Sequence, residues 1–147
     1  MCRGGGDLSM DRAARMSRWG IASERELKAA VATPGLTYLD VRTAAEVKAT
    51  PLAVGGKRVP IVNCNVTMFS SAELEKRAPK LLPDKQASIV VFCEVGGRSD
   101  VAKKCLSRLG YTAVTNGGGM DDMYAVLTPE VLAAAPPAAG SGECRLL

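Results

Sequence analysis

IVVFCEVGGRSDVAKKCLSRLG, residues 89–110, carries a strand, a glycine turn and a helix in succession, and constrains the architecture more tightly than any other stretch. Ile89, Val90, Val91 and Phe92 form a continuous apolar run, the pattern of a strand buried on both faces of a parallel sheet. From Asp100 the spacing becomes helical, with Val101, Ala102, Cys105, Leu106 and Leu109 on one face. Gly110 falls in the usual position just past a helix end. Between the two elements lie Cys93, Glu94, Val95, Gly96, Gly97, Arg98 and Ser99, so the Cys93 thiol is expected at a helix N-terminus. Backbone N–H groups there lack intrahelical partners and the helix dipole adds partial positive charge, a setting that stabilises an anion or a thiolate. Gly96 and Gly97 let the backbone curl so that successive N–H groups converge, and Arg98 adds a fixed charge. The expectation is a cradle for charged sulfur or an oxyanion.

Strand and helix signals alternate on both sides of this stretch. Ser23 and Glu26 have capping-box spacing and open a helix through about Val31, which Pro34 and Gly35 end. Leu36 to Val41 is short and β-rich, with Asp40 and Arg42 at its carboxyl end. Thr43 to Lys48 reads as a helical turn, a strand is expected near Arg58 to Val62, and Ser70 with Glu73 opens a helix from about Ser71 to Ala78 that Pro79 stops. Thr112 to Thr115 reads as the next strand, Asn116 to Gly119 as a turn, and Met120 to Leu127 as a segment packing back onto the sheet. Thr128, Pro129 and Glu130 make an N-cap, an N1 proline and an acidic first turn of a last helix. This order predicts an α/β domain with a mostly parallel central sheet and helices on both faces, its site at the carboxyl ends of the strands. Residues 1–19 are expected to be a flexible extension, 20–135 the domain, and 136–147 a disordered tail.

Composition narrows the function. With 147 residues, 47% of them hydrophobic, the chain supports one core. The net charge of +4 is spread among acids and the aromatics are few, which argues against a nucleic-acid partner. No apolar run approaches the roughly 18 residues of a membrane span, and a soluble, cytoplasmic monomer is expected. Asp7 and Asp11 weigh against a transit peptide. Cys2, Cys64, Cys93, Cys105 and Cys144 are odd in number and widely spaced, so no disulfide framework is expected. There is no histidine, which removes every Cys–His or Ser–His pairing and the common zinc arrangements; no metal or organic cofactor is expected. Activation of Cys93 must come from backbone dipoles and cations. Cys64 and Cys105 are either buried thiols or resolving thiols, with Cys105 on an inner helix face. Cys144 to Leu147 fits a prenylation pattern, against which the basic Arg145 and the lack of a polybasic stretch weigh.

Taken together, Leu39, Asp40, Val41, Arg42, Glu46, the loop Cys93 to Ser99, Gly110, Tyr111 and Asn116 to Gly119 resemble the single-domain rhodanese family, from about Ile21 to Leu127. The most specific element is the loop spacing: Cys, two residues, Gly, one residue, Arg, Ser. The resemblance implies a sulfurtransferase in which Cys93 takes sulfane sulfur from a small anionic donor such as thiosulfate and passes it, through a persulfide, to cyanide, a thiol or a thioredoxin-like acceptor. Glu94 to Ser99 would form the anion-binding loop. Arg98 is open to two roles, contact with the substrate or bracing of the loop. Asp40, Arg42 and Glu46 are expected to tie strand ends together rather than touch substrate, and Glu94 places a negative charge near the entrance. Phosphatases of the same fold have a loop one residue longer; the four residues between Cys93 and Arg98 favour sulfur transfer over phosphatase or arsenate reductase chemistry. A catalytically quiet module for partner binding or redox sensing is the alternative from another class. The chain departs from the family at Lys48 to Val59, which lacks the usual Gly-His-Ile segment, and at Met120 and Met123, which replace common aromatics.

Overall fold

A computed structural model describes residues 10–138. The elements are α1 (Arg12–Trp19), α2 (Glu24–Val31), β1 (Thr37–Asp40), α3 (Ala44–Ala49), β2 (Ala53–Val54), β3 (Lys57–Arg58), β4 (Val62–Asn63), α4 (Ala72–Leu81), β5 (Ile89–Phe92), α5 (Gly97–Arg108), β6 (Val114–Gly118), α6 (Met120–Val126) and α7 (Pro129–Ala134). The central sheet is parallel throughout, in the order β4-β1-β5-β6, and β2 and β3 form a separate antiparallel hairpin. It is an α/β fold with helices on both faces, as the alternation of elements predicts.

Alternation along β5 divides the core. Ile89, Val91 and Cys93 pack with Leu74 and Ala78 of α4 and with Ala102, Cys105 and Leu106 of α5. Val90 and Phe92 face the other way, onto Leu27 and Val31 of α2 and Met120, Met123 and Val126 of α6. All four β5 residues are buried, so the strand reads as one apolar run rather than an alternating one. Among the described residues no helix is long and apolar enough to cross a membrane.

Five segments differ from expectation. Residues 12–19, read as part of a flexible extension, form α1. Asp11 caps it by accepting from Ala14 N, and Gly20, at φ +63°, closes it with a bond from its N–H to Met16 O. No residue of the helix is fully buried; Arg12, Arg15, Met16 and Trp19 form its half-buried face, and both arginines pair with Asp122. Strand β6 continues through Asn116 to Gly118, read as a turn, because Gly118 still pairs with Phe92 across a bulge after Val91. The strand expected near Arg58 to Val62 is two, β3 and β4, with Pro60 between them unable to donate to a ladder. Helix α4 runs through Pro79 to Leu81, since the burial of Ala78 and Leu81 outweighs the loss of one N–H in the last turn. Of the tail, residues 136–138 are pinned: Pro136 O accepts from Gly35 N, and Ala138 N donates to Leu36 O. Cys2 and the Cys144 to Leu147 pattern lie outside the described residues.

Candidate active site

The chain runs from β1 out to β4 on one side of the sheet and from β5 to β6 on the other, so a crevice opens at the carboxyl ends of β1 and β5. Cys93 stands there, directly after β5. Its N–H donates to Gly118 O at 3.0 Å, extending the β5–β6 ladder by one bond and fixing where the thiol begins. The residue is fully buried. Gly96 N–H donates to Cys93 Sγ at 3.0 Å. Gly96 makes this turn at φ +114°, a conformation that resists a side chain, and a Cβ there would stand 2.5 Å from Ile21 Cδ1. The first turn of α5 follows at once.

A polar chain leads inward from the thiol. The Cys93 thiol lies 3.6 Å from Ser99 Oγ, and the Ser99 hydroxyl donates to Asn116 Oδ1 at 2.7 Å. Asn116 Oδ1 also accepts from Gly118 N at 2.9 Å, and its Nδ2 donates to Trp19 O at 2.9 Å. Ser99 and Asn116 are both fully buried, and each has its polar atoms paired.

The expected support residues do come together at this end of the sheet. Arg98 donates from both terminal nitrogens to Glu46, at 2.8 and 3.0 Å. Glu46 closes a capping box at the start of α3, accepting from Thr43 N at 2.9 Å. The hydrogen bond from Arg98 holds the Glu46 carboxyl down at about 2, with burial opposing and the Thr43 N–H assisting. Glu46 in turn raises the Arg98 pKa, and the nearby Cys93 sulfur adds to the effect. Asp40 and Arg42 form a second pair with both side chains fully buried, Arg42 Nη2 donating to Asp40 Oδ2 at 2.8 Å. Arg42 Nη1 reaches Thr50 Oγ1 at 3.0 Å, and Asn63 Nδ2 donates to the carbonyls of Asp40 and Arg42 at 2.9 Å each. Glu94 is exposed and lies 3.9 Å from Arg42, and Val95 is half exposed at the loop tip.

Sequence reasoning missed the second wall of the site. Helix α1 lies against the outside of the loop, where Arg15 donates to Val95 O at 2.8 Å and pairs with Asp122. Burial pushes the Asp122 carboxyl up, but Arg15, the Gly119 N–H and Arg12 together bring it below its ordinary value. A Cβ on Gly97 would meet Met68 Sδ at 2.8 Å and the Trp19 ring at 3.1 Å, so both side chains stand against the loop. Asp11 and Gly20 bracketing residues 12–19 were the available signal for α1. Nothing local pointed to Asp122.

A parallel α/β sheet here places a buried thiol under an amide N–H where β5 gives way to α5. The family model for the rhodanese-like domain matches residues 23–125, most of the chain, and the protein belongs to that family. It is 41% identical over 51 residues to the thiosulfate sulfurtransferase PspE of Escherichia coli, a match covering 35% of this chain and 49% of that protein, about half the length of the relative. Similar solved structures include a rhodanese with anions from E. coli, at 30% identity and a TM-score of 0.44, covering 60% of this chain and 91% of that one. A single-domain sulfurtransferase from Saccharomyces cerevisiae is 20% identical with a TM-score of 0.47, covering 74% and 94%.

Proposed function

We propose that the protein is a sulfurtransferase that moves sulfane sulfur from thiosulfate, or a donor of the same charge and size, to a thiophilic acceptor through a persulfide on Cys93. The observation that carries this reading is the Gly96 N–H donating to Cys93 Sγ at the end of β5, with four residues separating Cys93 from Arg98. The name of the E. coli relative supports the same chemistry.

The chemistry balances without a base from the protein, which contains no histidine. Cys93 ionises to solvent, and its thiolate attacks the outer sulfur of thiosulfate. A new S–S bond forms, the old one breaks, and sulfite leaves with the electron pair. The negative terminal sulfur of the persulfide is stabilised by the loop amides and the α5 dipole. Cyanide or a thiolate then attacks that sulfur, and the Cys93 thiolate departs with the electrons of the broken bond. Because Cys93 is fully enclosed, entry of the donor requires the loop to open transiently. Arg98, committed to Glu46, serves as a brace of the loop and as fixed positive charge beside the sulfur.

Intact-mass measurement after incubation with thiosulfate tests the reading. Wild type gains one sulfur atom, cyanide removes it, and Cys93→Ser gains none. An unchanged wild-type mass, or equal loading of Cys93→Ser, would sink it.

A further inference from the structure

Helix α1 lies outside the residues that match the family, yet it grips the loop that holds Cys93. Arg15 Nη1 donates to the Val95 carbonyl at 2.8 Å. The same guanidinium binds Asp122 twice, at 2.7 and 3.0 Å, and Asp122 is 4% exposed and fixed in turn by the Gly119 N–H at 2.7 Å. Arg15 is therefore anchored on one side and presents a donor on the other. Across the same peptide unit, Gly96 N–H donates to Cys93 Sγ at 3.0 Å. A trans peptide is planar, and its C=O and N–H point in opposite directions. Whatever fixes the Val95 carbonyl thus aims the Gly96 N–H. Gly96, with no side chain and a φ of +114°, offers little resistance of its own to rotation of that plane. Hydrogen bonds at both ends of one amide also polarise it in the same sense and strengthen the N–H as a donor.

We propose that Arg15 is a positioning residue for sulfur transfer: by holding the Val95 carbonyl from outside the loop, it aims the Gly96 N–H at the sulfur of Cys93. The role in transfer rests on the function proposed above; the grip on the loop does not. Arg12 supplies the control. It binds Asp122 and donates to Ala22 O at 2.8 Å, so it ties down the same helix while bonding to a different backbone segment from the loop.

The test uses the full chain as wild type, Arg15→Gln, Arg15→Lys and Arg12→Gln, with the Gly96 amide resonance followed by ¹⁵N–¹H spectroscopy and thiosulfate-to-cyanide transfer followed by steady-state kinetics. In Arg15→Gln the Gly96 amide moves upfield and kcat falls on the order of tenfold, less than the roughly 10²- to 10³-fold loss expected for deleting a donor outright. The KM for thiosulfate changes little, because the N–H acts on charge that builds on sulfur during reaction. Arg15→Lys recovers part of the loss, and Arg12→Gln resembles wild type in both readouts. An unmoved Gly96 amide in Arg15→Gln, or a kcat no lower than that of Arg12→Gln, overturns the proposal. Should wild type transfer no sulfur, the proposed function falls. The Gly96 amide then decides alone: movement in Arg15→Gln but not in Arg12→Gln upholds the grip on the loop, and equal spectra overturn it.

Discussion

Arg98 shows how a single side chain acquires its role. Its partner Glu46 lies 52 residues earlier in the chain, and only the tertiary fold brings the two together. The loop spacing identified the arginine; its pairing with that distant carboxylate was not legible there. Tyr38 is a contrasting residue. It is 1% exposed, its hydroxyl has no hydrogen-bond partner among the described residues, and burial pushes its pKa up to about 12. A buried hydroxyl left unpaired carries its desolvation cost without return. Replacing it by Phe is expected to stabilise the protein by about 1 kcal/mol, read as a rise of a few degrees in Tm, with sulfur loading unchanged. A fall in Tm would mean that the hydroxyl finds a partner in solution.

Elements were legible where their signals are local. The capping box at Ser23, the helical turn read at Thr43 to Lys48, the apolar run of β5 and the N1 proline of α7 all act within a few residues, and the structure forms the helices and strand they announce. Helix α1 and the glycine end of β6 were not legible as what they are. The first is held by Arg12 and Arg15 on Asp122, more than a hundred residues away, and the second by pairing with β5 across a bulge. Gly119 sits where β6 meets the active loop. Its backbone is extended, so no strain is at issue, but a Cβ there would overlap the Glu94 carbonyl oxygen and stand 2.7 Å from Val95 Cα. Backbone atoms cannot yield as a flexible side chain does. Gly119→Ala is therefore expected to push the loop away, lowering stability by roughly 1–3 kcal/mol and sulfur loading on the order of tenfold. Wild-type loading in a folded Gly119→Ala protein would show that the close approach is dispensable.

At the scale of the molecule, two carboxylates tie separate parts of the chain to the Cys93 loop. Glu46 joins α3 to α5, and Asp122 joins α6 to α1. Both are held below their ordinary values of 4.5 and 3.8, Glu46 at about 2. A carboxyl with a depressed folded-state pKa stabilises fully above its unfolded value, and that contribution is lost as pH falls through the folded one. For Glu46 the window runs from 4.5 down to about 2. Tm should fall across this window, and the gap between wild type and Glu46→Gln should narrow as the pH is lowered. A gap that stays constant to pH 2 would show that the pair adds no pH-dependent stability.

The sequence by itself determined the parallel α/β architecture, the thiol at the head of α5 and the family, because strand runs, helix periodicity, capping and loop spacing are properties of neighbouring residues. Only the tertiary structure decided that Arg98 pairs with Glu46, that residues 12–19 fold onto the loop, and that Arg15 and Cys93 hold opposite ends of one peptide plane. Such pairings depend on which surfaces meet when the sheet and its helices pack. No periodicity or spacing in the chain records a contact between residues 15 and 95.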